Sequence, residues 1–232
     1  MSNGIKVRKR NSRGIEPLNL DKMHIMVEEA TTGLAGVSAS QVEINSGIQF
    51  YDGITTEEIQ SILIRSASDL ISLDNPNYQY VAARLLLFGL RKNLYRRIRE
   101  MPPLIDHINK CVNNGVYDKE ILDNYTEEEL LIAEKFIDHD RDLLFTYAGL
   151  RQVVDKYLVQ DRSTGKVYES PQFMYIMIAL TIFAKYPQDT RLDYVRRYYD
   201  ATSRHKINIP TPIMAGVRTP IRQFASCVLV DA

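Results

Sequence analysis

The sequence predicts a mainly α fold with a short strand pair near the N-terminus, and three observations carry that expectation. Helix starts recur: Ser38 with Gln41, Thr55 with Glu58 and Thr126 with Glu129 each set a hydroxyl three residues before a Glu or Gln, a pair able to satisfy two free backbone N–H groups reciprocally. After Thr55, the apolar residues Ile59, Ile62, Leu63, Leu70 and Ile71 follow helical spacing and are expected to face a core. At the other end, Phe224-Ala225-Ser226-Cys227-Val228-Leu229-Val230 is apolar on both faces and reads as a strand that needs cover on both sides and partners at its edges.

In chain order, the strand pair lies between Ile5 and Asn19, and Asn19 can cap a first helix. The helix after Thr55 breaks at Asp74-Asn75-Pro76-Asn77. A second long helix is expected from about Tyr78 to Glu100, carrying Leu85, Leu86, Phe88 and Leu90 before the basic residues Arg91, Lys92, Arg96, Arg97 and Arg99; Met101-Pro102-Pro103 ends it. Gly115 suits the C-cap of a helix from Leu104, and Ser170-Pro171 suits the start of a helix over Phe173 to Ala184. Between them, Tyr157 to Asp161 and Lys166 to Glu169 flank Arg162-Ser-Thr-Gly165 as a hairpin. Pro210-Thr211-Pro212 and Gly216-Val217-Arg218-Thr219-Pro220 read as an irregular loop whose fixed prolines would suit a substrate-binding wall.

Composition narrows the function classes. The 232 residues can bury a sizeable core without disulfides, and 29 basic residues balance 29 acidic ones, which argues against a general affinity for nucleic acid or membranes. Two cysteines, Cys111 and Cys227, do not make a secreted framework. With no signal-like leader and no apolar run of about 18 residues, the expectation is a cytoplasmic protein.

Four clusters invite chemistry. The basic N-terminus (Lys6, Arg8, Lys9, Arg10, Arg13) precedes Glu16-Pro17-Leu18-Asn19-Leu20-Asp21-Lys22, where a capped helix start favours an anion; Lys9, Lys22 and a distant base such as Lys92 could hold phosphate. The plainer reading is a solvated basic tail, and no glycine-rich phosphate loop argues otherwise. Ile137-Asp138-His139-Asp140-Arg141-Asp142 could bind a metal, but its acids diverge around a helix and Arg141 competes for them, so an ion-pair network is favoured. Tyr194, Tyr198 and Tyr199 beside Arg196 and Arg197 favour core packing with a polar rim. Cys227, directly after Ser226, reads from burial habits as a structural cysteine and from its position as a candidate reactive group.

Two blocks, Asn19-Leu-Asp-Lys22 with Gln49-Phe-Tyr-Asp-Gly-Ile54, and Pro210 to Pro220 with Arg222-Gln-Phe-Ala-Ser-Cys227, closely resemble the large subunit of class Ia ribonucleotide reductase. Phe136 to Asp142 and Tyr157-Leu-Val-Gln160 extend the likeness over the chain. The resemblance implies an ATP-cone over residues 1–95 (short strand pair plus helix bundle), binding ATP as activator and dATP as inhibitor through Lys9, Glu16, Pro17, Leu18, Asn19, Leu20, Asp21, Lys22, Thr56 and Lys92. The family's cone often carries a histidine one turn after the threonine; this chain has Gln60. Residues 96–221 would be the helical N-terminal part of the catalytic domain, and 222–232 the first strand of an incomplete ten-stranded α/β barrel.

On the same resemblance, Thr211 and Ser226 would hold the ribonucleoside diphosphate and Cys227 would be one of two reducing cysteines. The radical-bearing and second reducing cysteines belong to later segments of the family. The expectation is therefore an N-terminal portion, preferably a separate polypeptide, that works with a complementary C-terminal large-subunit polypeptide. The other partners would be a small radical-generating subunit holding a di-iron tyrosyl radical and a thioredoxin or glutaredoxin system. No metal, nucleic acid or membrane is expected in this chain's own chemistry. The alternative is a non-catalytic ATP/dATP-binding regulatory module, and the role of Cys227 discriminates the two.

Overall fold

The structure is a computed structural model that describes residues 4–9, 14–221 and 224–225. The chain divides into two compact units, Met1–Leu90 with Leu143–Arg151, and Arg91–Asp142 with Gln152–Ala232.

In the first unit, β1 (Lys6–Arg8), β2 (Ile15–Pro17) and β3 (Ile54–Thr55) form a sheet in the order β2-β1-β3. β1 runs antiparallel to β2, with Val7 opposite Glu16, and parallel to β3, with Val7 opposite Ile54 and Arg8 opposite Thr55. The expected strand pair is thus three-stranded, because β3 is two residues long and too short to show alternation. Its place is set by the preceding turn: Lys6 donates its N–H to Asp52 Oδ1 (2.8 Å), Gly53 donates to the Lys6 carbonyl (2.8 Å), and Gly53 sits at φ 83°, which favours glycine.

The helices α1 (Leu20–Thr31), α2 (Ala39–Gly47) and α3 (Thr56–Asp69) pack in sequence order. α1 buries Met23, Val27 and Ala30, a stripe at i, i+4 and i+7. At α2 only half of the expected capping box forms. Ser38 accepts from the Gln41 N–H (3.4 Å), but Gln41 Oε1 accepts from the buried Tyr78 hydroxyl, and the Ser38 N–H donates to that same hydroxyl.

On α3 the box of Thr55 and Glu58 is complete and Leu63 is buried as expected, but Gln60, Ser66 and Ala67 share the inner face with it and Ile71 is exposed. Gln60 takes a core slot because its amide donates to the Leu85 carbonyl (2.7 Å), and Gly89 leaves it room. A Cβ at Gly89 would stand 3.0 Å from Gln60 Cγ.

One surface cluster in this unit titrates. His24 on α1 lies 2.7 Å from Glu43 on α2 and 3.2 Å from Glu28 one turn on. The Glu43 hydrogen bond, helped by Glu28, raises the His24 pKa above the ordinary histidine value of 6.5. A raised folded pKa means the contribution is fully present below pH 6.5 and fades as pH rises through the folded value. An NMR titration of the His24 ring should give a midpoint above 6.5, and His24→Gln should remove this part of the pH dependence of stability. A midpoint at or below 6.5 would contradict the contact.

The helix α4 (Tyr78–Tyr95) ends earlier than expected, since Arg96 turns the chain at φ 64° and Arg91, buried, donates to the Ile98 carbonyl just beyond. The second unit continues with α5 (Leu104–Asn113), α6 (Glu120–Asn124), α7 (Glu127–Glu134) and a 3-10 stretch, His139–Leu144. α8 (Tyr147–Gln152) falls in the first unit up to Arg151, and the second unit resumes with a π turn (Val153–Tyr157), the hairpin β4 (Gln160–Asp161) and β5 (Lys166–Val167), α9 (Pro171–Phe183), α10 (Arg191–Ser203) and α11 (Thr211–Gly216). Every residue of α9 from Pro171 to Leu180 is buried, so it is the central helix, and α10 packs along it. α11 replaces the expected irregular loop: Pro212 falls in its first turn, where the missing proline N–H costs nothing. The expected barrel strand lies mostly outside the described residues.

Candidate functional site

The end of the first unit's sheet gathers several of the residues singled out by sequence. Lys9 follows β1, and its Nζ lies 2.5 Å from Glu16 Oε2 on β2. The Lys9 hydrogen bond holds the Glu16 pKa below its usual value, with a smaller coulombic contribution from Lys22, so both lysines act on one carboxylate. Pro17 sits opposite Lys6, Leu18 donates its N–H to the Ile5 carbonyl (2.8 Å), and the chain then enters α1. Asn19 caps that helix by accepting from the Lys22 N–H (2.8 Å), with Leu20 exposed and Asp21 in the first turn.

Thr56 is the first residue of α3 and donates to Glu57 Oε2 (3.2 Å). The parallel register of Arg8 with Thr55 puts the start of α3 next to the exit of β1, where Lys9 follows. The arrangement therefore offers lysine ammonium groups near two helix N-termini, which suits a polyanion; a phosphate at Lys9 would compete with Glu16. Lys92 lies on the last turn of α4, in the second unit.

Glu58 is a residue that sequence reasoning placed only as a cap. Its carboxylate accepts from the Thr55 N–H and hydroxyl (both 2.8 Å) and from the Tyr51 hydroxyl (2.7 Å). These bonds lower its pKa, with a small coulombic contribution from Arg8. The capping signal identified Glu58; nothing local pointed to Tyr51.

In the second unit, Thr211 opens α11 with its hydroxyl 3.4 Å from the Tyr157 hydroxyl. Ser226 and Cys227 lie outside the described residues. The acidic run around His139 is spent on ion pairs. Arg141 meets Asp138 (3.3 Å) and Asp200 (2.8 Å), and Asp142, fully buried, accepts from Arg91 (2.9 Å) and Gln172 (2.8 Å). Among the tyrosines, Tyr199 is buried, accepting from the Asp138 N–H and donating to Gln172, while Tyr194 and Tyr198 pack on Phe183 at the rim.

Among known families, the ATP cone domain matches residues 5–93 and the ribonucleotide reductase all-alpha domain matches residues 143–222. The two matches define a chain built of an ATP cone followed by the all-alpha domain of the ribonucleotide reductases. The chain is 54% identical over 231 residues to ribonucleoside-diphosphate reductase 1 subunit alpha of Escherichia coli K12, and 53% identical to the alpha subunit of Haemophilus influenzae; both alignments take in 100% of this chain and 30% of the relative. Against the alpha subunit of Enterobacteria phage T4 it is 48% identical over 199 residues, 85% of this chain and 26% of the relative. The chain belongs to the class I ribonucleotide reductase large-subunit family, as the N-terminal portion of an alpha subunit. It spans under a third of the length of these relatives.

Proposed function

We infer that the chain is the regulatory and substrate-gathering portion of a ribonucleoside-diphosphate reductase, serving the conversion of ribonucleoside diphosphates to deoxyribonucleoside diphosphates for DNA synthesis. The similarity over its full length to alpha subunits carries this reading. The cone, taken as residues 1–95, would bind ATP as activator and dATP as inhibitor. Lys9 and Lys22 would meet the phosphates, Asn19 and Thr56 would order the two helix starts, and Lys92 would add a further cation. Residues 96–221 would form the helical part of the catalytic domain and 222–232 its first barrel strand. Thr211 and Ser226 would hold the substrate and Cys227 would deliver one of two reducing equivalents.

Catalysis would need the C-terminal portion of the large subunit, on this chain or on a complementary polypeptide. It would also need a radical-generating small subunit, whose di-iron tyrosyl radical starts the chemistry, and thioredoxin or glutaredoxin to restore the thiols. Among the described residues no group of acids, histidines and cysteines gathers to hold a metal, and no helix is long and apolar enough to cross a membrane.

The test pairs binding with turnover. Calorimetry should show ATP bound by this chain and weakened about tenfold by Lys9→Ala, the loss of one charge-assisted contact. The assembled enzyme should reduce a ribonucleoside diphosphate under ATP. Nucleotide binding without reduction would leave a regulatory module; absence of both would overturn the reading.

A further inference from the structure

Among the described residues Arg218 is the largest side chain that the second unit buries, and each of its three guanidinium nitrogens donates a hydrogen bond. Nε donates to both Glu169 oxygens (2.9 and 3.1 Å), Nη2 donates to Glu169 Oε1 and to the Tyr157 carbonyl (2.9 Å), and Nη1 donates to the Met214 carbonyl (2.5 Å). The Arg218 carbonyl is fixed too, by the Asp118 N–H (3.0 Å).

Glu169 is equally committed. Oε1 accepts from the Val159 N–H (2.6 Å) and Oε2 from the Tyr117 hydroxyl (2.5 Å). Because Tyr117 donates to Glu169, its oxygen accepts from His107 Nε2–H (3.0 Å), leaving His107 Nδ1 as a buried lone pair without a partner. That fits a neutral ring, whose pKa burial pushes down to about 3. The chain His107, Tyr117, Glu169, Arg218 therefore holds one ion pair in one geometry, away from water.

What it holds is the surroundings of Thr211. Met214, whose carbonyl Arg218 binds, lies one turn along α11 from Thr211. Tyr157, whose carbonyl Arg218 also binds, sets its hydroxyl 3.4 Å from the Thr211 hydroxyl. Both sides of the Thr211 contact thus hang from the same guanidinium. We propose that Glu169 and Arg218, braced by Tyr117, are positioning residues that fix Thr211 for the ribonucleoside diphosphate. The proposal rests on the reductase reading above and adds to it a determinant of substrate affinity that touches no substrate. A buried bidentate pair suits the task, since it tolerates neither rotation nor the approach of water, and small displacements of a positioning group weaken binding or rate steeply.

The experiment uses the assembled enzyme, with this chain, the rest of the large subunit and the small subunit. In Glu169→Gln the KM for the ribonucleoside diphosphate should rise on the order of tenfold while kcat per active enzyme stays within about twofold. Because Glu169→Gln leaves Arg218 buried without its counter-charge and endangers folding, Tyr117→Phe provides the second arm. It removes the hydrogen bonds to Glu169 and from His107 but no charge, and should raise KM about threefold with kcat held. A merely structural role would lower kcat in step with the fraction of folded enzyme and leave KM alone. An active wild type with KM unchanged in Tyr117→Phe, and in Glu169→Gln if it assembles, overturns the positioning role. An inactive wild type overturns instead the reductase reading and the positioning role with it.

Discussion

Replacing Cys227 with serine should take ribonucleoside diphosphate reduction by the assembled enzyme to background while ATP binding stays at the wild-type level. Removing the 2′ hydroxyl as water is a two-electron reduction: two thiols give up two electrons and two protons, a sulfur–sulfur bond forms, and the carbon–oxygen bond is replaced by carbon–hydrogen. A serine hydroxyl can donate a proton but cannot close a disulfide, so the electron count fails. Cys111 cannot stand in. It is fully buried, and burial together with the Glu169 charge pushes its thiol up to about 12, far from the thiolate that exchange requires. Its sulfur faces His107 and the Tyr168 carbonyl, each at 3.8 Å, inside the helical core. Turnover that survives Cys227→Ser would show that this chain supplies no reducing thiol and would make it a regulatory module.

The helical fold was legible where its cause is local. Thr55 with Glu58 and Thr126 with Glu129 form complete capping boxes, α5 starts at Leu104, Gly115 at φ 68° closes it, and the hairpin turns on Gly165. These signals need only a few neighbouring residues, so sequence carries them whole. Where local signals mislead, a second role is responsible. Proline marks both loops and first turns, and α11 uses it in the second way.

The candidate site was legible in part. Lys9 and Glu16 meet because strand register brings them together, and the Asn19 cap sets the helix start that carries Lys22; both causes are short-range. Buried charges were missed because their partners are remote. Glu169 and Arg218 are 49 residues apart, and Glu129 and Arg191 are 62 apart, far beyond the three- and four-residue spacings by which sequence reveals ion pairs. Gln60 in place of an apolar residue was equally unreadable, since its partner is a backbone carbonyl of another helix.

Glu129 shows how a local signal can conceal a tertiary one, and its removal should cost the chain more than any cap. As the third residue of α7 it accepts from the Thr126 N–H (2.9 Å) and hydroxyl (3.2 Å), the cap that sequence anticipates. The same carboxylate receives Arg191 in a fork, Nε to Oε1 at 2.7 Å and Nη2 to Oε2 at 2.6 Å, with both side chains under a tenth exposed and the guanidinium 4.3 Å from the centre of the Tyr125 ring. Were Glu129 only a cap, Glu129→Ala and Thr126→Ala would each cost about 1 kcal/mol. Because Glu129→Ala also strands a buried guanidinium, its expected loss is about 3–5 kcal/mol, against about 1 kcal/mol for Thr126→Ala. Urea unfolding followed by circular dichroism separates the two cases. The pH dependence gives a second reading. The Arg191 hydrogen bond lowers the Glu129 pKa, so its contribution is present above the unfolded carboxylate value near 4.5 and disappears as pH falls through the lower folded value. Glu129→Ala should therefore lose part of the acid sensitivity of the parent chain, and equal losses in the two variants would show that the buried fork contributes nothing beyond the cap.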